Sequence, residues 1–264
     1  MSKVILVTGA SSGLGQAIAE ELAQNHTVYG TSRSKKDNTG TYKMIALDVR
    51  DESSISSAVE EVISKEGRLD VVINNAGLGI AGPVEELDID KMKTAFDTNV
   101  FGIVRICRQT LQHLRASKGK MINISSIGSM FGLPYRSAYC ASKAGLNMIN
   151  ETLRMELKQF GVQSTAILAG DIQTNINQNR LTSVVPEDSP YHENFVKVYE
   201  GIDKDVDSGV TPEYIAKRVA KLVNQKSLKR TYAIGKPLQK LSLTVKKIVP
   251  DFIFEKIIRT YSNL

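Results

Sequence analysis

Two cysteines, Cys107 and Cys140, in a chain of 264 residues are too few for a disulfide framework, and the three histidines, His26, His113 and His192, are scattered without metal-ligand spacing. No metal is expected. Long apolar runs are missing too: the longest uncharged stretch, Val4 to Ala19, is full of Gly, Ser and Thr and too short to span a bilayer. The opening MSKVILVTGASS lacks the apolar core and small-residue cleavage site of a signal peptide, so a cytoplasmic location is expected. There are no repeats, no low-complexity tract and no interdomain linker. A net charge of +6 has no zinc-finger or ribonucleoprotein pattern beside it, so no nucleic-acid partner is expected.

What the chain does have is a globular balance, 42% hydrophobic and 23% charged residues, in a length that α/β folds often use as one unit. β-Branched runs, VILVT, TVYGTS, YKMIAL, LDVVIN, GKMINIS, VQSTAIL and RTYAIG, alternate with segments of helical period. This rhythm predicts an α/β, doubly wound, Rossmann-like parallel sheet of about seven strands with helices on both faces. Ligands of such sheets bind beyond the carboxyl ends of the strands, where the strand order switches. Residues 1–235 are expected to form one dinucleotide-binding and catalytic domain. Within it, 175–210 is polar, loop-like and longer than a connection needs, which marks a substrate lid. Residues 236–264 form a basic amphipathic extension.

The first strand runs through VTGASSGLG into the first helix, with Gly9, Gly13 and Gly15 at the bend. Glycines let the backbone approach a pyrophosphate, which free amides and the positive helix end then meet; the same turn could serve only tight strand-to-helix packing. Gly9, Ser11, Ser12, Gly13, Leu14 and Gly15 are the cofactor candidates here. At the end of the second strand, where an acid would hold an NAD ribose, GTSRSKK has none before Asp37. Arg33, with Ser32 and Lys35 or Lys36, suits the 2′-phosphate of NADP(H) because a guanidinium grips phosphate oxygens in a fork. A solvated basic turn is the plainer reading of the same residues.

In SAYCASKAGL, Tyr139 and Lys143 lie four apart and share one helix face, among small neighbours that let a ligand come close. A lone pair of this kind is common on surfaces. Its companions are not: TGASSGLG (8–15), NNAG (74–77), NVFG (99–102), NISS (123–126) and YCASK (139–143) follow one another in an order and spacing that strongly resembles the short-chain dehydrogenase/reductase family over about residues 3 to 235.

The resemblance implies a catalytic set of Asn99, Ser126, Tyr139 and Lys143. Tyr139 would exchange a proton with the substrate oxygen, Ser126 would hydrogen-bond that oxygen, and Asn99 would hold a helix kink and a water leading to Lys143. Lys143 would bind the nicotinamide ribose and, as a nearby cation, pull the phenol below its usual pKa of about 10. Further cofactor contacts are implied for Asp48 and Val49 beside the adenine, Asn75, Ala76 and Gly77 along the adenosine side, and Gly170, Ile172 and Thr174 at the nicotinamide. Asp48 also reads as a strand-end cap. One departure stands out: many relatives carry Pro-Gly after the sixth strand, where this chain has Ala169, Gly170 and an unusual Asp171.

The expected activity is NADPH-dependent hydride transfer between nicotinamide and a carbonyl or secondary alcohol, on a small-molecule substrate that is a hydrophobic ketone, steroid-like, retinoid-like or long-chain. A 3-oxoacyl thioester reductase and a non-catalytic NADP sensor or scaffold are the alternatives. Specificity should lie in GLGIAG (77–82) and in the lid, whose Leu181, Val184, Val185, Tyr191, Phe195, Val198 and Tyr199 either cover the ligand or pack the lid down. The extension, in two helical pieces around Pro250, is expected to dock on the body in preference to a membrane surface. Pairing of the helices around 91–116 and 136–160 would make a homodimer or homotetramer.

Overall fold

The computed structural model describes residues 2–34, 40–174 and 180–264. Lys35, Lys36 and Asp37, and the stretch 175–179 of the expected lid, lie outside the described residues. Seven strands form one parallel sheet: β1 (Val4–Val7), β2 (Thr27–Ser32), β3 (Lys43–Ala46), β4 (Val71–Asn74), β6 (Lys120–Ser126), β7 (Gln163–Ala169) and β9 (Thr231–Ile234). Their order is β3-β2-β1-β4-β6-β7-β9, so the chain turns back at β1 and continues outward from β4. The crevice between the ends of β1 and β4 is therefore the switch point where ligands of open α/β sheets bind. Two short strands, β5 (Ile80–Ala81) and β8 (Leu181–Thr182), pair separately.

Alternation along β1 builds the two layers. Ile5 and Val7 join the core under α1 (Gly13–Ala23) and α7 (Pro212–Asn224), whereas Val4 and Leu6 join the one under α2 (Glu52–Glu66), α4 (Gly102–Ser117) and α5 (Ser137–Leu157). Thr211 caps α7, its hydroxyl accepting from the Tyr214 amide, with Pro212 as the first helical residue.

The helical period over 89–117 is interrupted. α3 (Ile89–Phe96) passes into a π-helical turn, Asp97–Phe101, before α4 begins, and Asn99 sits fully buried in that turn. Such bulges turn one side chain inward and often mark functional positions. The lid differs more. Instead of continuous loop it holds a 16-residue helix, α6 (His192–Asp207), which buries Phe195, Val198, Ile202 and Val206 at helical spacing. The extension forms α8 (Pro237–Ile248) and α9 (Asp251–Tyr261) with Pro250 between them.

Candidate active site

Gly9 and Gly13 adopt left-handed backbone, φ +67° and +55°, at which a side chain is strained. Gly15 is required by packing instead: a Cβ there would overlap the Gly9 carbonyl and the Asn75 amide. Asn75 Nδ2 donates to the Thr8 and Gly9 carbonyls at 3.0 Å each, and Thr8 Oγ1 accepts from the Asn75 and Ala76 amides, also at 3.0 Å. Asn75 and Ala76 thus lock the glycine turn to the end of β4. Ser12 begins α1 without a side-chain cap, and the first turn holds no acid. Amides left this way at a positive helix end, beside a turn that brings the backbone close, fit a dinucleotide pyrophosphate. Ser11 lies in the same turn and Leu14 is buried under it.

Arg33 is exposed just beyond β2, close enough to Asp48 to help hold its carboxylate below the usual range. The larger cause is Arg50, whose Nη2 lies 2.7 Å from Asp48 Oδ2. Asp48 is therefore already engaged with Arg50, and its neighbour Val49 packs where a Cβ on Gly102 would touch it. Ser32 spends its hydroxyl on the Ser34 carbonyl.

Ser126 ends β6 and Tyr139 lies in the first turn of α5, which brings the Ser126 hydroxyl close enough to the phenol to lower its pKa. Burial pushes the phenol's pKa up, while Arg136 and Ser126 pull it down. The cation stacked on its ring is Arg136, 4.8 Å from the centroid, a residue that sequence patterning does not single out. Lys143 instead donates to the Ile124 carbonyl at 3.0 Å and is buried, which brings its ammonium down to about 8. Asn99 Oδ1 accepts from the Leu78 amide at 2.8 Å, and its Nδ2 donates to the Leu78 carbonyl at 2.9 Å and to Ser142 Oγ at 3.1 Å. Gly77 lies between these two groups: a Cβ there would be 3.2 Å from Asn99 Oδ1 and 3.3 Å from Lys143 Nζ. Only a residue without a side chain leaves that approach open.

The turn after β7 closes the site. Thr174 packs against the glycine turn, where a Cβ on Gly13 would meet its Cγ2 at 3.4 Å, and Ile172 bridges to Val210. Asp171 acquires a physical account. Its carboxylate accepts from Gln239 of α8, burial raises its pKa, and Arg136 opposes that rise. Gly170 and Gly235 leave room for Gln239, because a Cβ on either would run into its side-chain carbonyl. The extension is therefore tied to the turn beside Tyr139. Over this end lie Tyr135, edge-on to Phe195 at 5.6 Å, and Arg180, whose Nη1 is 3.0 Å from Asp203. Among the described residues, no group of three or more His, Cys, Asp or Glu could hold a metal ion.

Residues 3–184 match the model of a family described as short chain dehydrogenase. Over 98% of its length the chain is 36% identical to a 3-ketodihydrosphingosine reductase of Bacteroides thetaiotaomicron, of which 97% is covered. It is 31% identical to an NADPH-dependent 3-dehydrocapnine reductase of Ornithobacterium rhinotracheale, with 96% of this chain and 94% of the relative aligned. A short-chain dehydrogenase structure from Streptomyces avermitilis superposes with a TM-score of 0.81 at 30% identity, covering 93% of each chain.

Proposed function

The chain belongs to the short-chain dehydrogenase family and is an oxidoreductase acting between CH–OH and C=O, and from that premise we propose that it reduces a long-chain ketone with NADPH. The observation that carries this reading is the convergence at the carboxyl ends of β1, β4 and β6: a phenol beside Ser126, a buried ammonium near Asn99 across the Gly77 gap, and the glycine turn leading into α1. NADPH, when bound, supplies the hydride. Tyr139 Oη gives the proton that the carbonyl oxygen needs, and Ser126 Oγ holds that oxygen in place. Lys143 and Asn99 receive the ribose side of the nicotinamide, next to the gap that Gly77 leaves. The glycine turn and the α1 amides hold the pyrophosphate, with Asn75 and Ala76 fixing its floor. Ile172 and Thr174 border the nicotinamide, and Asp48 and Val49 the adenine.

The substrate's head would lie toward Arg136 and Asp171, and its chain beneath α6 and α9. Support comes from the relatives' names, which denote ketones on long alkyl chains with charged heads, and from the guanidinium of Arg136 and the buried carboxyl of Asp171, both felt by Tyr139. The test is NADPH oxidation with a panel: a long-chain 2-amino-3-ketone, its chain-matched ketone without the amine, a steroid ketone and a 3-oxoacyl thioester. The long-chain ketones should turn over fastest. Preference for the thioester, or no turnover of any member, would overturn the substrate or the reductase reading respectively.

Choice of NADPH over NADH is assigned to Arg33. Losing a charge-assisted bond to a phosphate costs about ten- to a hundredfold. Arg33→Asp is therefore expected to lower the ratio of kcat/KM for NADPH over NADH by at least that much. An unchanged ratio would remove Arg33 from the 2′-phosphate.

We also propose that the protein works in the cytoplasm and pairs with a second copy through α4 and α5. Val104 of α4, Phe101 just before it, and Met148 and Met155 of α5 are 38 to 69% exposed, apolar side chains that a second copy would cover. Light scattering of the wild type and of Met148→Glu tests it, and a wild-type monomer would sink it.

A further inference from the structure

From the outward faces of α8 and α9, which the catalytic reading leaves unused, we propose that this segment is a docking surface for an anionic lipid bilayer. One side of the segment is committed to the body. Phe254 and Ile258 are buried, Phe254 meets Phe131 edge-on at 5.0 Å, and Tyr261 Oη donates to Asp205 of α6 at 2.7 Å. Expected docking therefore occurs, yet it accounts for only part of the apolar surface.

On α8, Leu238, Leu241 and Ile248 recur at the spacing of a single helix face and are 66, 54 and 74% exposed. Phe252 follows at 73% exposed, with Ile253 and Ile257 beyond it on α9. Side chains of this size, left in water on two successive helices in contact, form a surface that a partner would cover. Charge identifies the partner. Residues 236–264 hold six basic residues against two acids, Asp251 and Glu255. Lys246 is neutralised by Asp251, and Lys236 donates to Ser208 at 2.9 Å. Lys240, Lys247, Lys256 and Arg259 are exposed and in no ion pair among the described residues. A second copy of the chain would bring those cations against themselves, whereas an anionic membrane neutralises them while its acyl region takes the apolar residues. Among the described residues no helix is long and apolar enough to cross a membrane, so the contact is interfacial. Gln239, on this same helix, reaches Asp171 beside Tyr139, so the docked segment would sit at the mouth through which a lipid ketone enters.

The experiment uses the full chain, sedimented with vesicles of phosphatidylcholine alone and with added phosphatidylglycerol, next to light scattering without lipid. Binding should need phosphatidylglycerol and weaken about tenfold or more in high salt or in Lys240→Glu/Lys247→Glu. Ile248→Ser/Phe252→Ser should lose it to a similar degree. Both variants should keep the wild-type melting temperature and NADPH-dependent turnover of a water-soluble ketone. That assay also separates failure here from failure of the reductase reading. No pelleting, equal pelleting with both lipids, or a wild-type self-association that Ile248→Ser/Phe252→Ser dissolves would each overturn the proposal.

Discussion

Tyr139→Phe is expected to lower kcat by about 10²- to 10⁴-fold, the usual worth of a positioned proton donor, while NADPH binding followed by nucleotide fluorescence stays within about twofold. The substitution removes one oxygen and keeps the ring, so the Arg136 guanidinium retains the face it stacks on at 4.8 Å and the packing around a half-buried side chain is unchanged. What disappears is the hydroxyl beside Ser126. Wild-type turnover in this variant would remove Tyr139 from the reaction. Weakened NADPH binding would instead assign the phenol to holding the cofactor. A companion measurement separates the cations: burial drives the phenol's pKa up and Arg136 drives it down. Arg136→Gln should therefore move the pH profile of alcohol oxidation toward higher pH, because the phenolate forms later. A profile that does not move would leave the tuning to Lys143.

How far the sequence discloses this site depends on the range of the interaction concerned. Alternation in VILV and the glycine bend after it are local patterns, and β1 and α1 follow them directly. Helical spacing puts Tyr139 and Lys143 on one face, yet spacing cannot say that Lys143 Nζ turns to the Ile124 carbonyl of a neighbouring strand. Arg136 stays hidden because it precedes α5, where its position belongs to no period, and its contact is a stack on a ring three residues on. α6 is masked by the acids, serine and prolines of its surroundings. Its Phe195, Val198, Ile202 and Val206 become a buried stripe only once distant residues such as the Tyr135 ring provide something to pack on. Asp171 looks like a misfit in the turn after β7 until Gln239, 68 residues later, supplies its partner. The sequence likewise reveals α8 and α9 as basic and amphipathic, but not which apolar residues docking would consume.

Lys143→Met should abolish turnover and at the same time raise the melting temperature of the nucleotide-free protein by roughly 4–8 °C near pH 7. Burial brings the Lys143 ammonium from the 10.5 of an exposed lysine to about 8, so near pH 7 the folded state holds a charge there at a cost of about 3 kcal/mol. Methionine fills a similar volume without that charge. Its loss of the hydrogen bond to the Ile124 carbonyl gives back about 1 kcal/mol, leaving a gain of about 2 kcal/mol. The sign with pH follows from proton counts. Between about 8 and 10.5 the unfolded chain keeps the lysine proton that the folded one has released, so wild-type stability rises with pH across that window. Lys120, also brought down to about 8 by burial, acts in the same direction but is common to both proteins and cancels in their difference. The gap in melting temperature should therefore be full near pH 7 and narrow toward pH 10. A variant that melts below wild type would show that the ammonium is stabilising where it lies, and a gap indifferent to pH would show that burial does not shift its titration. A stabilised but inactive variant would identify Lys143 as a charge retained for the reaction at the expense of the fold, the trade expected of an active-site cation held under a nicotinamide ribose.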